Sequence, residues 1–268
     1  MTRQTGGRQG QPLPVCDLRS LSAMPQPVGL LRLKLIGDDQ RSTRRNGTML
    51  PWQTCTIGSG LMLHASLELT PDITAMRSEF AALDASLSAE HRTCFGGDGS
   101  WTAISLMDRS APGRSTDRGG SPTPTLNTMP SVRTFLEGFD CTIVACHISR
   151  QAPGGTLKWH YDNQALHLTE ARLLLPIQVP PEARTYIGHE IVAYPEGVVW
   201  TGDFSFPHMV ENPSSHQRIV LLIDILSNDW IRGRAPTALS ENAHRRAALS
   251  GAAQNAWLEW PGRQAAYT

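Results

Sequence analysis

Residues 141–162 read CTIVACHISRQAPGGTLKWHYD, and from this stretch onward the chain has the pattern of a β protein. Apolar runs of strand length are separated by turn residues such as Pro153-Gly154-Gly155 and Pro180-Pro181. These runs predict strands at 141–149, 155–161, 172–179, 185–193, 197–201 and 217–226. Short strands at regular spacing are typical of a sandwich or a jelly roll.

The sequence before residue 141 adds helices to the predicted sheets. Thr70-Pro71, followed by apolar residues three and four apart, predicts a helix over 70–88 with Thr70 as its N-cap. A second short helix is predicted at 131–139. Between the two, the Gly-, Ser- and Pro-rich segment 109–124 is either a disordered loop or a lid over a site.

The two ends of the chain differ from this central part. Residues 1–25 are polar and aperiodic and predict a flexible arm, which a first strand at 28–36 follows. The tail over 235–260 is rich in Ala and predicts a helix with Trp257 and Trp260 on one face. We therefore expect three parts, which are the arm at 1–25, one main domain at 26–230 and a helical extension at 231–268.

The composition excludes several classes of protein. The chain has 268 residues, with 24 basic and 24 acidic side chains, and this balance argues against a nucleic-acid-binding protein. It contains no run of about 18 apolar residues and no secretory signal at its start, so we expect no membrane partner. The five Cys form no CxxC pair, which argues against a disulfide framework or structural zinc and favours the cytoplasm.

The candidate chemistry lies in three short stretches around His160, Asp162 and His208. Residues two apart on a strand face the same side, so His160 and Asp162 are expected to present an imidazole and a carboxylate together. His208, 48 residues later, would supply a second imidazole from another strand. Two His and one carboxylate with open positions are the ligand set of non-haem Fe(II) oxygenases.

A fourth residue makes this set more specific than HxD alone. Arg218 lies ten residues after His208, at the start of the apolar strand Arg218-Ile-Val-Leu-Leu-Ile-Asp224. From there a guanidinium could reach the same pocket and bind a carboxylate through two parallel hydrogen bonds.

Four segments together resemble the aspartyl/asparaginyl β-hydroxylase family of Fe(II)- and 2-oxoglutarate-dependent oxygenases. They are ISRQAPGGTLKWH at 148–160, RLLLPIQVP at 172–180, PEGVVWTGD at 195–203 and HMVENPSSHQR at 208–218. The cis-proline hydroxylases are distant relatives with the same HxD…H…R arrangement. The resemblance spans about a third of the chain and implies a double-stranded β-helix, the cupin-like jelly roll, with flanking helices.

The resemblance also implies roles for single residues. His160, Asp162 and His208 would be the iron ligands, and Arg218 would bind the distal carboxylate of 2-oxoglutarate. Further co-substrate contacts are implied for Ser149 and Arg172, whose positions match contacts in the animal enzymes. The cofactor would be Fe(II), with 2-oxoglutarate and O2 as co-substrates and with succinate and CO2 released.

Two departures from the animal enzymes matter. Leu174 replaces a His two residues after the Arg that matches Arg172, so the local co-substrate contacts must differ. Asp162 is kept, as in the bacterial hydroxylases of free amino acids, and this argues against halogenation, which needs a vacant metal position for chloride.

These comparisons favour hydroxylation of a free amino acid or of a small carboxylate-bearing metabolite. Candidate substrate contacts are Trp101, Arg109 and His147, whereas Arg118, Arg133 and Arg150 are weaker anion partners. We expect a small-molecule substrate as the binding partner. The chain could also form a homodimer. The alternatives are the same chemistry on a peptide, carrier-bound or lipid substrate, a non-catalytic jelly-roll binding protein, and hydrolysis with zinc, which ranks last because no general base follows the HxD.

Overall fold

The computed structural model describes residues 49–87, 93–95, 100–110 and 119–261. The predicted arm at 1–25, the predicted strand at 28–36 and residues 111–118 of the predicted lid segment lie outside these ranges, as do the last seven residues. None of the described helices is long and apolar enough to cross a membrane.

Strands dominate the described part of the chain. They are β1 (His64–Ser66), β2 (Thr93–Phe95), β3 (Trp101–Asp108), β4 (Ser121–Pro122), β5 (Ile143–Gln151), β6 (Thr156–His160), β7 (Glu170–Gln178), β8 (Arg184–Ile187), β9 (Glu190–Val192), β10 (Trp200–Gly202), β11 (His208–Glu211) and β12 (Arg218–Leu226). The helices are α1 (Pro51–Thr54), α2 (Ile73–Ser86), α3 (Pro130–Glu137), α4 (Asp229–Arg232) and α5 (Ala243–Leu258).

The strands form two antiparallel sheets. The major sheet has the order β1-β10-β7-β12-β5-β3-β2, with β4 beside β3, and the minor sheet has the order β6-β11-β8-β9. In sequence the chain passes back and forth between the two sheets, as in a Greek-key arrangement. The architecture is mainly β, a double-stranded β-helix with flanking helices, as predicted.

Alternation along the strands of the major sheet separates its two faces. One face carries apolar side chains such as Ile148, Leu173 and Leu221, which pack with Met76 and Phe80 of α2 and with Val132 of α3. The opposite face carries Ser149, Arg218 and Asp224 on neighbouring strands, as the pairing of Val220 with Ser149 shows. The helices therefore cover the outer face and leave the polar face to the space between the sheets.

Several predicted boundaries were wrong. Helix α2 begins later than expected, because the Asp72 side chain, and not Thr70, accepts the hydrogen bond from the Ala75 N–H at 3.0 Å. The run 185–193 is two strands, since Gly188 adopts a positive φ of 55° and turns the chain between β8 and β9. Strands β1, β2, β3, β4 and β11 were not predicted as strands.

The C-terminal helix is shorter than the predicted 235–260. Asn242, with φ of 59° in the left-handed region, immediately precedes α5, which begins at Ala243, and a short 3-10 helix occupies Thr237–Leu239. Trp260 lies beyond the end of α5. The Trp257 ring contacts Tyr161, whereas the Trp260 ring contacts Trp52 of α1, so the two tryptophans have separate partners.

Candidate metal centre

Two histidines meet across adjacent strands of the minor sheet. His208 at the start of β11 is the direct cross-strand partner of His160 at the end of β6, and their ring centroids are 4.1 Å apart. Asp162 completes the group, because one donor atom from each of the three residues lies within 4.8 Å of the others. The structure thus places the three predicted ligands together.

Backbone hydrogen bonds fix which ring nitrogen each histidine presents. Nδ1 of His160 lies 2.7 Å from the Lys158 carbonyl oxygen, and Nδ1 of His208 lies 3.0 Å from the Phe206 carbonyl oxygen. A carbonyl only accepts, so each Nδ1 carries the proton and donates. The lone pair is then on Nε2 of both rings, which is the arrangement that a histidine metal ligand needs.

Asp162 reaches the group by a different route from the one expected. Strand β6 ends at His160, so strand alternation does not orient Asp162, and that part of the prediction was wrong. Instead, the Asp162 N–H donates to the Phe204 carbonyl at 2.8 Å, which fixes the loop after β6 against the segment before β11. Oδ2 of Asp162 lies 3.8 Å from Nε2 of His208.

The protonation states of the three groups suit a divalent cation at neutral pH. Burial, and then the neighbouring His160, lower the pKa of His208 to about 3, and burial also lowers the pKa of His160. Burial acts to raise the pKa of Asp162, but Arg172 and the two histidines outweigh it and hold this pKa below its usual value. Two neutral imidazoles and one carboxylate are the result.

Arg172 contacts the candidate ligand Asp162 and also forms a buried pair with Asp224. Its NH1 donates to Oδ2 of Asp162 at 2.9 Å, while Nε and NH2 donate to the two oxygens of Asp224 at 2.8 and 3.1 Å. Arg172 and Asp224 are direct cross-strand partners on β7 and β12. Each of the three nitrogens of this guanidinium therefore donates to a protein carboxylate, and its predicted co-substrate role stays a prediction.

Arg218 has a different environment. The residue is 8% exposed, its NH2 lies 3.4 Å from Thr185 Oγ1, and no salt bridge to it occurs within the described residues. Burial lowers its pKa to about 10, so it remains a cation at neutral pH. Together with Thr185, Tyr194 and Trp200 it lines a cavity of about 330 Å³.

Ser149, Trp101 and His147 belong to the same inner face. Ser149 pairs with Val220, two residues from Arg218, and its hydroxyl accepts a hydrogen bond from Nε1 of Trp101. His147 lies two residues further along β5 and pairs with Leu222. Burial, followed by the charge of Arg172, lowers the pKa of His147 to about 4, so this ring is neutral at physiological pH.

The remaining arginines divide between the edge of the site and the outer face. Arg109 contacts Glu170 with NH1 at 3.0 and 2.9 Å and Asp224 with NH2 at 3.2 Å, so it lies next to the Arg172 pair. Arg150 bonds Asp84 and Gln217, and Arg133 bonds Asn127. The structure does not bring Arg133 or Arg150 to the ligand group, and Arg118 lies outside the described residues.

Asp224 is the residue that the sequence analysis did not assign. It is the one charged residue in the run Ile219–Leu226, and a charge inside a buried apolar strand requires a partner. A lone charge in an apolar strand could therefore have predicted that Asp224 forms an ion pair. Its partner could not be read from the sequence, because the pairing depends on the register between β7 and β12.

The donor set fits iron. Two imidazole nitrogens and one carboxylate oxygen on one side, with the remaining positions open, match the ligand set of non-haem Fe(II) oxygenases. The hydrogen bonds from Nδ1 and the contact of Arg172 with Asp162 supply the outer interactions that orient such ligands.

Comparison with known proteins agrees with this geometry. The sequence model of a protein family described as aspartyl/asparaginyl β-hydroxylase matches residues 70–228, more than half of the chain. The comparison with curated proteins gave no match.

Solved structures of oxygenases are weakly similar to this chain. An oxidoreductase of the 2OG-Fe(II) oxygenase family from Burkholderia pseudomallei has 15% identity and a TM-score of 0.41, over 62% of this chain and 86% of that one. The viral collagen prolyl hydroxylase of Paramecium bursaria Chlorella virus-1 has 12% identity and a TM-score of 0.37, over 62% and 97%. At these values the likenesses identify neither an activity nor a substrate.

Proposed function

The chain belongs to the aspartyl/asparaginyl β-hydroxylase family of Fe(II)- and 2-oxoglutarate-dependent oxygenases, and we propose that it hydroxylates a C–H bond of a free amino acid or of another small carboxylate-bearing metabolite. Nε2 of His160, Nε2 of His208 and the Asp162 carboxylate would hold the iron. Bound there, iron supplies the redox chemistry that uses O2 and 2-oxoglutarate to oxidise the substrate.

Arg218 is the observation that supports the co-substrate assignment. Arg218 is 8% exposed, has one long hydrogen bond to Thr185 and has no acidic partner among the described residues, so it is an incompletely compensated buried charge. Because this cation lines a cavity, an anion that enters the cavity would supply the missing charge and two parallel hydrogen bonds. The distal carboxylate of 2-oxoglutarate meets this need.

Other residues of the inner face would orient and protect the reacting groups. Ser149 lies near Arg218 and offers a hydroxyl that Trp101 already orients. His147 is neutral at physiological pH and lines the space between the sheets without adding charge. Apolar neighbours such as Trp200 and Leu222 exclude water from this interior.

The proposal for a small substrate rests on the retained carboxylate. Asp162 is kept, as in the hydroxylases of free amino acids that the sequence resembles. Peptides, carrier-bound groups and lipids are the alternative substrates that the same assay decides between.

Two measurements test the proposal. Anaerobic addition of Fe(II) and 2-oxoglutarate to the purified protein should give a weak visible charge-transfer band, which His208→Ala abolishes. His244→Ala, at an exposed histidine on α5, is the matched control and should keep the band. Absence of both the band and succinate formation in the unaltered protein would contradict the oxygenase function.

The substrate is identified by a mass increase of one oxygen atom. Free amino acids and small carboxylic acids form the first panel, and peptides and acyl chains form the second. Oxygen incorporation with coupled succinate release in the first panel supports the proposal. Turnover confined to the second panel would replace the small-metabolite substrate while leaving the reaction class intact.

A further inference from the structure

We propose that Asp224, acting through Arg172, is a positioning residue for the metal-binding carboxylate of Asp162. This inference rests on the proposed function, because it assumes that Asp162 binds the iron. It assigns Arg172 a role different from the co-substrate contact that the sequence resemblance implied. It also gives a function to the single charged residue within the apolar run of β12.

The geometry of the guanidinium is the first support. Nε and NH2 of Arg172 bond the two oxygens of Asp224, at 2.8 and 3.1 Å, which fixes both the position and the plane of the guanidinium. The remaining edge then points in one direction, and NH1 bonds Oδ2 of Asp162 at 2.9 Å. A planar group held at two points therefore orients a third group with little freedom.

Burial and register are the second support. The Asp224 side chain is 5% exposed, and the residue lies directly opposite Arg172 on the adjacent strand. On its other side Asp224 faces Ala145 of β5, whose small side chain leaves room for the carboxylate. Rigid strands of the major sheet therefore hold the pair, whereas Asp162 lies in a loop after the end of β6.

The loop position explains why Asp162 needs this support. His160 and His208 are fixed by strand pairing and by Nδ1 hydrogen bonds, but Asp162 has one backbone bond, from its N–H to the Phe204 carbonyl. That bond places its backbone and leaves the carboxylate free to rotate. The bond from Arg172 fixes the carboxylate, so that the third ligand is in place before a metal binds.

Arg109 and Glu170 complete the charge balance at the edge of the site. Arg109 bonds Asp224 at 3.2 Å and Glu170 at 2.9 Å, and its side chain is 46% exposed. Glu170 is thus connected to Asp224 through Arg109 and, among the described residues, has no bond to Arg172 or Asp162. Substitution of Glu170 removes an acid of the same network without touching the proposed positioning contacts.

The test measures metal affinity and does not depend on turnover. Metal-free full-length protein is titrated with Co(II), and binding is followed by the visible absorption of the bound ion. Asp224→Asn should weaken Co(II) binding by about 10–100-fold, which is the usual effect of losing an outer-sphere partner of a ligand. Glu170→Gln is the matched control and should bind Co(II) as tightly as the unaltered chain.

A second variant keeps the test decisive if Asp224→Asn does not fold. Arg172→Lys retains the positive charge opposite Asp224, but one ammonium cannot hold both oxygens of Asp224 and also fix Asp162. It should fold, weaken Co(II) binding and change the Co(II) spectrum. Co(II) affinity within twofold of the unaltered protein, in either folded variant, would overturn the positioning role.

The same titration separates failure of this inference from failure of the proposed function. If the unaltered protein does not bind Co(II), or if His208→Ala binds it equally well, the metal site itself is wrong and both proposals fail. If binding depends on His208 but not on Asp224 or Arg172, only the positioning role fails.

Discussion

Arg218 illustrates how function and stability oppose each other at a single residue. Its side chain is buried with no acidic partner in the part of the chain that the structure describes, and burial disfavours the charge and lowers its pKa to about 10. A buried charge without compensation destabilises the folded state. We therefore infer that the cost of burying Arg218 is tolerated because the cation binds an anion.

Replacement of Arg218 by Gln should change the two properties in opposite directions. Loss of a charge-assisted hydrogen bond is worth about 1.5–3 kcal/mol, so the KM for 2-oxoglutarate should rise by at least tenfold. Removal of the uncompensated charge should leave the free energy of unfolding unchanged or raise it. Succinate release and urea unfolding measure the two effects, and Arg245→Gln on the exposed face of α5 is the control. An unchanged KM would remove the assigned role.

His147 makes stability depend on pH. Its pKa is about 4 in the folded protein, because burial and then Arg172 disfavour the cation, whereas an unfolded His titrates near 6.5. Above pH 6.5 the residue is neutral in both states and has no effect. As the pH falls from 6.5 to 4, the unfolded state alone takes up the proton, so the folded state loses up to about 3 kcal/mol of stability.

His147→Gln should flatten the acid side of the stability profile. Urea unfolding of the metal-free protein at pH values from 4 to 7.5 should show a smaller loss of stability in this variant. His244→Gln, at an exposed position of α5, should leave the profile unchanged. Equal slopes for His147→Gln and the unaltered chain would contradict the prediction.

At the scale of elements, the β8–β9 turn positions the strand that carries His208. Gly188 has φ of 55°, and its N–H donates to the Pro207 carbonyl at 2.9 Å, next to His208. A Cβ at Gly188 would lie 2.7 Å from Oγ1 of Thr56, a buried side chain held by its own bond to Gln53. The turn therefore needs glycine both for its conformation and for space.

Gly188→Ala should destabilise the protein more than Gly154→Ala does. Gly154 has φ of 70° but nothing within 4 Å of an added Cβ, so its substitution costs only the backbone strain of about 1–2 kcal/mol. At Gly188 the clash with Thr56 adds to a similar strain, and the total should exceed that of Gly154→Ala by at least about 1 kcal/mol. Urea unfolding of the two variants measures the difference. Equal losses in the free energy of unfolding would show that the Thr56 side chain moves away without a cost and would contradict the prediction.

Elements with strong local patterns could be predicted from the sequence, whereas those that depend on distant partners could not. The runs of β7 and β12 stood out because most of their residues are buried, and β5 stood out by its apolar residues, although its burial alternates along the strand. Strand β11 was not predicted because only four residues lie between Pro207 and Asn212, which is too short for a clear pattern. Its extended conformation depends on hydrogen bonding with the neighbouring strands β6 and β8.

In the candidate site, too, some features could be predicted from the sequence and others depend on distant partners. The four residues His160, Asp162, His208 and Arg218 were recognisable by type and spacing, and the structure places the first three together. The pair of Arg172 with Asp224 was not recognisable, because the register between two strands about 50 residues apart decides it. Sequence spacing identified the candidate ligands, but only the sheet shows what orients them.

At the scale of the whole molecule, one buried ion pair ties the C-terminal helix to the jelly roll. Arg246 of α5 is fully buried, and its NH1 donates to Oδ2 of Asp203 at 2.9 Å. Its other nitrogens donate to the carbonyls of Met62, Ala238 and Glu241. Asp203 immediately follows β10 and lies five residues before His208, so α5 supports the segment that leads to this candidate metal ligand.

Loss of one member of this pair should destabilise the whole domain, because the remaining charge stays buried. Arg246→Met should lower the free energy of unfolding by about 3–5 kcal/mol, measured by urea unfolding, while Arg245→Met, one residue away and exposed, should change it by less than about 0.5 kcal/mol. The double variant Arg246→Met/Asp203→Asn should recover part of the lost stability, since neither charge is then buried without its partner.

If Arg246→Met had the same free energy of unfolding as the unaltered chain, the pair would not contribute to the stability of the jelly roll. The Ser205 hydroxyl also donates to Oδ1 of Asp203. If the double variant were less stable than the single one, the stabilising contact of Asp203 would be this bond from Ser205, and not the pair with Arg246.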